Sequence, residues 1–264
     1  MTNPKVLVLT GYGINCDDET KFAFEKAGAT ADLVHINDLI ETPKKLESYQ
    51  IVAFPGGFSY GDDTGSGNAL AWKIRNNLGI ERFTAGNKLI IGICNGFQVL
   101  VNLGLLPALD GQYGQRQVAL NHNVSARYLD RWVDLEFKGR SHWTKDIGRI
   151  SLPIAHGEGK FYADPEVLDQ INRKGLVAAK YIEGEICRQQ RLTTNPNGSL
   201  EDIAGITDET GRIFGLMPHP ERAISFTQLP HWTFLREQYT RAGREIPKEA
   251  GGIKIFKNGV DYFE

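Results

Sequence analysis

The chain is 264 residues long and 41% hydrophobic, and its 30 Lys and Arg stand against 32 Asp and Glu for a formal charge of −2. That length is ample to bury a core in one large α/β unit or two small ones, and so even a charge balance gives no reason to expect nucleic acid or an anionic membrane as partner. Three cysteines at scattered positions make no disulfide framework and suit a reducing compartment, and no run approaches the ~18 apolar residues of a membrane span, so a cytoplasmic protein is expected.

In chain order, Val6-Leu7-Val8-Leu9 predicts a first strand, too short and too quickly followed by glycines to be a signal peptide. Asp17 or Asp18 is placed to cap a helix running through Phe22, Ala23 and Lys26 to Gly28. Ala31 to His35 and Ile51 to Phe54 read as the second and third strands. Ser66 to Leu78, with Leu70, Ile74 and Leu78 four residues apart, predicts an amphipathic helix, and Leu89 to Ile93 a fourth strand. Short β-branched runs alternating with helices imply parallel strands joined by right-handed crossovers, with ligands bound beyond the strands' carboxyl ends. From about Val118 the pattern changes. Val124 to Phe137, Ile150 to Ile154 and Leu176 to Ile182 predict added antiparallel strands, Asn195 to Ser199 a turn, and Ile213 to Met217 a strand. Trp232 to Ala242 looks helical, and Ile246 to Glu264 is too mixed to assign. The expected fold is α/β, a flavodoxin-like open and mostly parallel sheet flanked by helices. With no repeat or linker, residues 1–264 are expected to form a single domain, about 225–264 being a C-terminal extension.

One segment carries chemistry more plainly than the rest. Gly92-Ile93-Cys94-Asn95-Gly96-Phe97-Gln98 joins the apolar run Leu89-Ile90-Ile91 to a helical stretch. A cysteine between a buried strand and a helix, with small residues on both sides, has the form of a nucleophile elbow. The helix's positive end would lie beneath the sulfur and favour thiolate, the nucleophilic form. Met217-Pro218-His219-Pro220-Glu221-Arg222, far downstream, supplies a candidate base with a carboxylate two residues on. Upstream, Phe54-Pro55-Gly56-Gly57-Phe58 ends a strand with adjacent glycines that let the backbone approach a substrate and face it with amide N–H groups. Alone, a cysteine at a strand end is most often just a small buried residue, and a lone His-x-Glu is weaker still. The conjunction of all three is what points to a Cys94, His219 and Glu221 triad.

Those motifs resemble the class I (triad) glutamine amidotransferases. Gly11 to Asp17, Pro55 to Asp63, Ile93 to Gln98, Pro153 to Phe161, Asn195 to Ile206 and Gly215 to Ala223 are similar, more narrowly, to the glutaminase components of phosphoribosylformylglycinamidine synthase. The resemblance implies hydrolysis of L-glutamine through a γ-glutamyl thioester, with ammonia passed to a synthase subunit in purine biosynthesis. It implies an oxyanion hole from the backbone N–H groups of Gly57, Phe58 and Asn95. It implies that Gln98 helps to hold the glutamine, although an amide early in a helix could equally be structural. Asn123 and Ser125 are further candidate contacts to the substrate. His156, in His-Gly-Glu-Gly, fits a loop near substrate or partner rather than a second base. Cys16 is expected to be structural or partner-facing, and Cys187 inert.

No Cys-x-x-Cys, His-x-x-x-His, P-loop or complete Gly-x-Gly-x-x-Gly is present, since Cys16 stands where a third glycine would be needed. No metal and no cofactor are therefore expected in this chain. The family reaction consumes ATP, so ATP and Mg belong on a partner synthase subunit, with a small accessory subunit as a further partner. Two rivals stay open: a stand-alone cysteine hydrolase of the same fold resembling γ-glutamyl hydrolases, and a catalytically silent assembly subunit.

Overall fold

A computed structural model describes residues 3–264. In chain order the elements are β1 (Lys5–Thr10), α1 (Asp17–Lys26), β2 (Thr30–His35), α2 (Ile36–Glu41), β3 (Ile51–Phe54), α3 (Asn68–Asn77), α4 (Glu81–Thr84), β4 (Leu89–Ile93), α5 (Asn95–Leu103), β5 (Val118–His122), β6 (Leu129–Phe137), β7 (Arg149–His156), β8 (Glu158–Ala163), α6 (Pro165–Arg173), β9 (Val177–Ile182), α7 (Glu185–Gln190), β10 (Ile203–Thr207), β11 (Ile213–Leu216), α8 (Trp232–Arg241) and α9 (Ile253–Asp261).

Nine of these strands form one sheet in the order β2-β1-β3-β4-β11-β10-β9-β6-β7, while β5 and β8 pair separately. From β2 to β11 every pairing is parallel. From β11 to β7 every pairing is antiparallel. The parallel half is the expected flavodoxin-like sheet, and the antiparallel half is the predicted addition. β3, β4 and β11 are buried at every position, as strands covered on both faces must be. Their Ile, Val, Leu and Phe side chains each contribute on the order of 1.5–3 kcal/mol by leaving water. Because β4 and β11 are parallel neighbours, Ile213↔Ile90 through Leu216↔Ile93, the segments that follow them emerge side by side. That adjacency joins Cys94 to His219.

Three local expectations needed correction. Neither Asp17 nor Asp18 caps α1: the N-cap is Cys16, with no side-chain capping bond, and Asp17 instead accepts from the Thr10 hydroxyl. The strand expected over Val124 to Phe137 begins only at Leu129 as β6, and the shorter β5 from Val118, which pairs with β8 apart from the main sheet, was not expected. The unassigned tail holds α9, an amphipathic helix whose Phe256 meets Phe24 of α1 edge-on at 4.9 Å, with Phe24 in turn 6.3 Å from Trp143. By contrast α8 buries none of its residues.

Candidate active site

Cys94 sits where β4 ends and α5 begins, with φ 51° and ψ −108°. Such a backbone costs a residue other than glycine on the order of 1–3 kcal/mol and persists only where its surroundings impose it. Here Cys94 N–H donates to Leu216 O at 2.8 Å, and Gln98 N–H returns to Cys94 O at 3.1 Å. Gly96 makes the turn possible, because a β-carbon there would lie 1.8 Å from the Phe54 carbonyl oxygen. The sulfur is buried at the N-terminal end of α5, 3.6 Å from Ala155 O.

His219 follows β11 and is fixed by its N–H, which donates to Pro153 O of β7 at 2.8 Å. Its Nδ1 lies 2.6 Å from Glu221 Oε1, both side chains being buried. With Nδ1–H donated to the carboxylate, Nε2 is the free nitrogen, and it has no hydrogen-bond partner among the described residues. Burial opposes protonation of this imidazole, but the charge of Glu221 and then that of Cys94 outweigh it. The imidazolium is held well above its ordinary range. The structure therefore brings the three triad candidates together.

The oxyanion candidates separate. Phe58 N–H is already donated to Gly13 O at 2.7 Å, so Phe58 is corrected out of the set: its amide holds the loop instead. The N–H groups of Gly57 and Asn95 make no hydrogen bond among the described residues. Gly57 has φ 149°, and a β-carbon on it would meet Gly13 O at 2.6 Å, which is why that amide needs glycine.

The substrate candidates are tied into the protein. Gln98 accepts from Asn95 Nδ2 at 3.0 Å and donates to Glu158 O. Asn95 also donates to Asp62 Oδ1 at 3.2 Å and accepts from Ser59 N–H at 3.2 Å. Burial, first, and the charge of Glu158 hold the Asp62 carboxyl above its usual range against hydrogen bonds from Ser66, Gly67 and Asn95. Asn123 donates to His156 O at 2.8 Å and Arg127 O at 2.9 Å, and its Oδ1 meets His156 Nδ1 at 3.1 Å. Loop architecture thus accounts for every polar atom of the Asn123 side chain. Ser125 Oγ accepts from Arg127 N–H at 3.3 Å. His156 is buried beside the triad, and burial, reinforced by the charge of His219, pushes it down to about 3.

Two residues near the triad were given no catalytic or substrate role by the sequence. Tyr128 is raised by burial and then by the nearby Cys94 charge, with His219 opposing, and its ring lies 6.0 Å from that of Phe58. Nothing in the local pattern marks it. Cys16, expected to be structural or partner-facing, is buried, and its sulfur lies with a nitrogen of His219 and an oxygen of Glu221 inside a 4.8 Å cluster. Among the described residues this is the one grouping of three metal-type donors. Arg222 Nη2, at 2.9 Å from the sulfur, places a fixed positive charge against any cation there.

The residues from 3 to 263 match the CobB/CobQ-like glutamine amidotransferase domain family. The chain belongs to the glutamine amidotransferases. Among its relatives, a phosphoribosylformylglycinamidine synthase subunit PurQ of Methanococcus maripaludis is 50% identical, over 98% of this chain and 97% of that one. The subunit of the same name from Dehalococcoides mccartyi is 44% identical over 99% and 98%. The solved structure described as PurLQS from Thermotoga maritima superimposes with a TM-score of 0.71 and 30% identity, covering both chains completely. As an amidotransferase the chain has the fold and motifs expected of it, and no helix among the described residues is long and apolar enough to cross a membrane.

Proposed function

We propose that this amidotransferase is the glutaminase subunit of a phosphoribosylformylglycinamidine synthase, hydrolysing L-glutamine and supplying the ammonia to a separate synthase subunit. The observation that carries this reading is the pairing of a strained, buried Cys94 with the His219–Glu221 dyad, in a chain half identical to proteins named for that subunit.

In this mechanism Cys94 Sγ attacks the side-chain amide carbon of glutamine. His219 takes the thiol proton and passes it to the departing ammonia, while Glu221 holds Nδ1–H and the charge that forms on the ring. The amides of Gly57 and Asn95 receive the oxyanion, each such donor typically being worth ~10²–10³ in turnover. Water, deprotonated by the same imidazole, then cleaves the thioester and releases glutamate. Gln98, Asn123 and Ser125 shape the walls around the substrate, the first through the Asn95 and Glu158 contacts described above. ATP and Mg act on the synthase subunit, and a small accessory subunit completes the assembly in the cytoplasm. The whole chain works as one amidotransferase domain, its last helix packing on the core and on the Pro220–Arg222 turn.

The test is glutamate release from L-glutamine by the purified chain, alone and with a synthase subunit, beside Cys94→Ala. Release that rises with the partner and vanishes in the variant supports the reading. Release indifferent to the partner favours a free-standing hydrolase, and none in any proven complex removes the catalytic role.

A further inference from the structure

Cys16 touches the catalytic base from a part of the chain that carries no triad residue. Its backbone and side chain do separate things. The amides of Asn15 and Cys16 both donate to Gly56 O, at 3.3 and 3.2 Å, and Ile14 bridges to Gly57. This fixes the turn that presents the Gly57 amide. The side chain points instead into the dyad, where its sulfur, an imidazole nitrogen and a carboxylate oxygen share the 4.8 Å cluster. A β-carbon on Gly56 would stand 3.2 Å from this sulfur and 2.8 Å from His219 Cε1, so the two groups share one wall.

Arg222 holds the other side of the sulfur. Its Nη2 is 2.9 Å from Cys16 Sγ and its Nε 3.9 Å from Glu221 Oε1. It belongs to the same turn as the dyad, its N–H bonding to His219 O at 3.3 Å. The guanidinium therefore reaches the carboxylate along one edge and the sulfur along another. Glu221 is buried with only one oxygen hydrogen-bonded, Oε2 having no partner among the described residues, so a nearby cation is what keeps its charge tolerable.

Resting on the proposed glutaminase reading, we infer that Cys16, clamped by Arg222, is a positioning residue for His219: the sulfur fixes the imidazole against Glu221. The groups facing His219 are Cys94 from the β4–α5 turn, Cys16 at the start of α1, Glu221 and Arg222 on its own turn, His156 at the end of β7 and Tyr128 before β6. Of these Cys94, Cys16 and Glu221 favour the imidazolium. The Arg222 charge is stabilised in return: burial opposes it, but Cys16 and then Glu221 outweigh that and raise it. Removal of the Cys16 sulfur leaves the backbone bonds to Gly56 intact, so the side chain can be tested apart from the turn.

The experiment is an NMR titration of the His219 ring in the intact ¹⁵N-histidine-labelled chain, assigned by loss of its signals in His219→Asn. In Cys16→Ala the midpoint is expected to fall by about one pH unit. Cys16→Ser, which keeps a polar atom in place, should recover part of the shift and serves where the alanine variant folds poorly. An unchanged midpoint in folded Cys16→Ala or Cys16→Ser overturns the inference. In parallel, glutamine turnover should show a loss on the order of tenfold in kcat with KM little altered. Absence of turnover in the wild-type chain with its synthase subunit would count against the proposed function alone, because the titration does not depend on turnover.

Discussion

Gly56 and His219 are packed so closely that a β-carbon on the glycine would lie 2.8 Å from Cε1 of the imidazole. Carbon atoms do not share that distance, so Gly56→Ala must push the ring aside, and the ring cannot yield without loosening its 2.6 Å bond to Glu221. A displacement near 1 Å costs about 10² in rate. We expect kcat for glutamine hydrolysis to fall by about that factor, alongside an overpacking cost in stability of about 1–3 kcal/mol. Wild-type turnover in the variant would mean that the base does not need its observed place.

Removing the nucleophile and removing the carboxylate should give different residual rates. Cys94→Ala eliminates the thioester route, and glutamate release should drop by at least about 10⁴-fold. Glu221→Gln keeps an acceptor for Nδ1–H but loses the charge, so a fall on the order of 10²–10⁴ is expected, together with a lower titration midpoint for His219. Steady-state kinetics of the two variants in the presence of the synthase subunit decide the matter.

His156 should shape the acid limb of stability. In the unfolded chain it binds its proton below about 6.5, whereas burial and the charge of His219 push it down to about 3 in the fold. Across that window the unfolded state holds more protons, so stability falls as pH drops, by up to roughly 1.4 kcal/mol per pH unit. His219, raised instead, contributes stability that is full below about 6.5 and lost as pH rises through its folded value. Urea unfolding between about pH 6 and pH 4 should therefore be less pH-dependent in His156→Gln than in the wild type. Equal slopes would show that other groups govern the acid limb.

Phe256→Ala empties a site at which the ring is fully buried against Phe24. Such truncations cost about 3–5 kcal/mol, which chemical denaturation would register as a lower midpoint. The rate per folded molecule should fall far less than the stability, since α9 carries no triad residue and reaches the site only by packing on the Pro220–Arg222 turn. A variant as stable as the wild type would mean that α9 adds little to the core.

The parallel half of the fold was legible because its strands are buried on both faces and therefore read as short unbroken apolar runs: Ile51–Phe54 and Leu89–Ile93 begin and end where expected. The candidate triad was legible only by conjunction, with Cys94 at a strand end, the Gly56-Gly57 turn upstream and His219-Pro220-Glu221 downstream, none of which decides anything alone. What the pattern concealed depends on contacts between distant segments. α9 alternates too irregularly to announce itself, and becomes a helix by covering Phe24 and Trp143. The Phe58 amide looked available until its bond to Gly13 was seen. Cys16 was expected to be structural or partner-facing because its neighbours, His219 and Arg222, lie at the other end of the chain.

The docking of α9 on α1 also bears on biosynthesis. Phe24 belongs to the first helix made, yet the ring that covers it, Phe256, comes from the last. A nascent chain still short of residue 253 presents Phe24 and Trp143 to water and to chaperones. This part of its core closes only after residues 253–261 have left the ribosome.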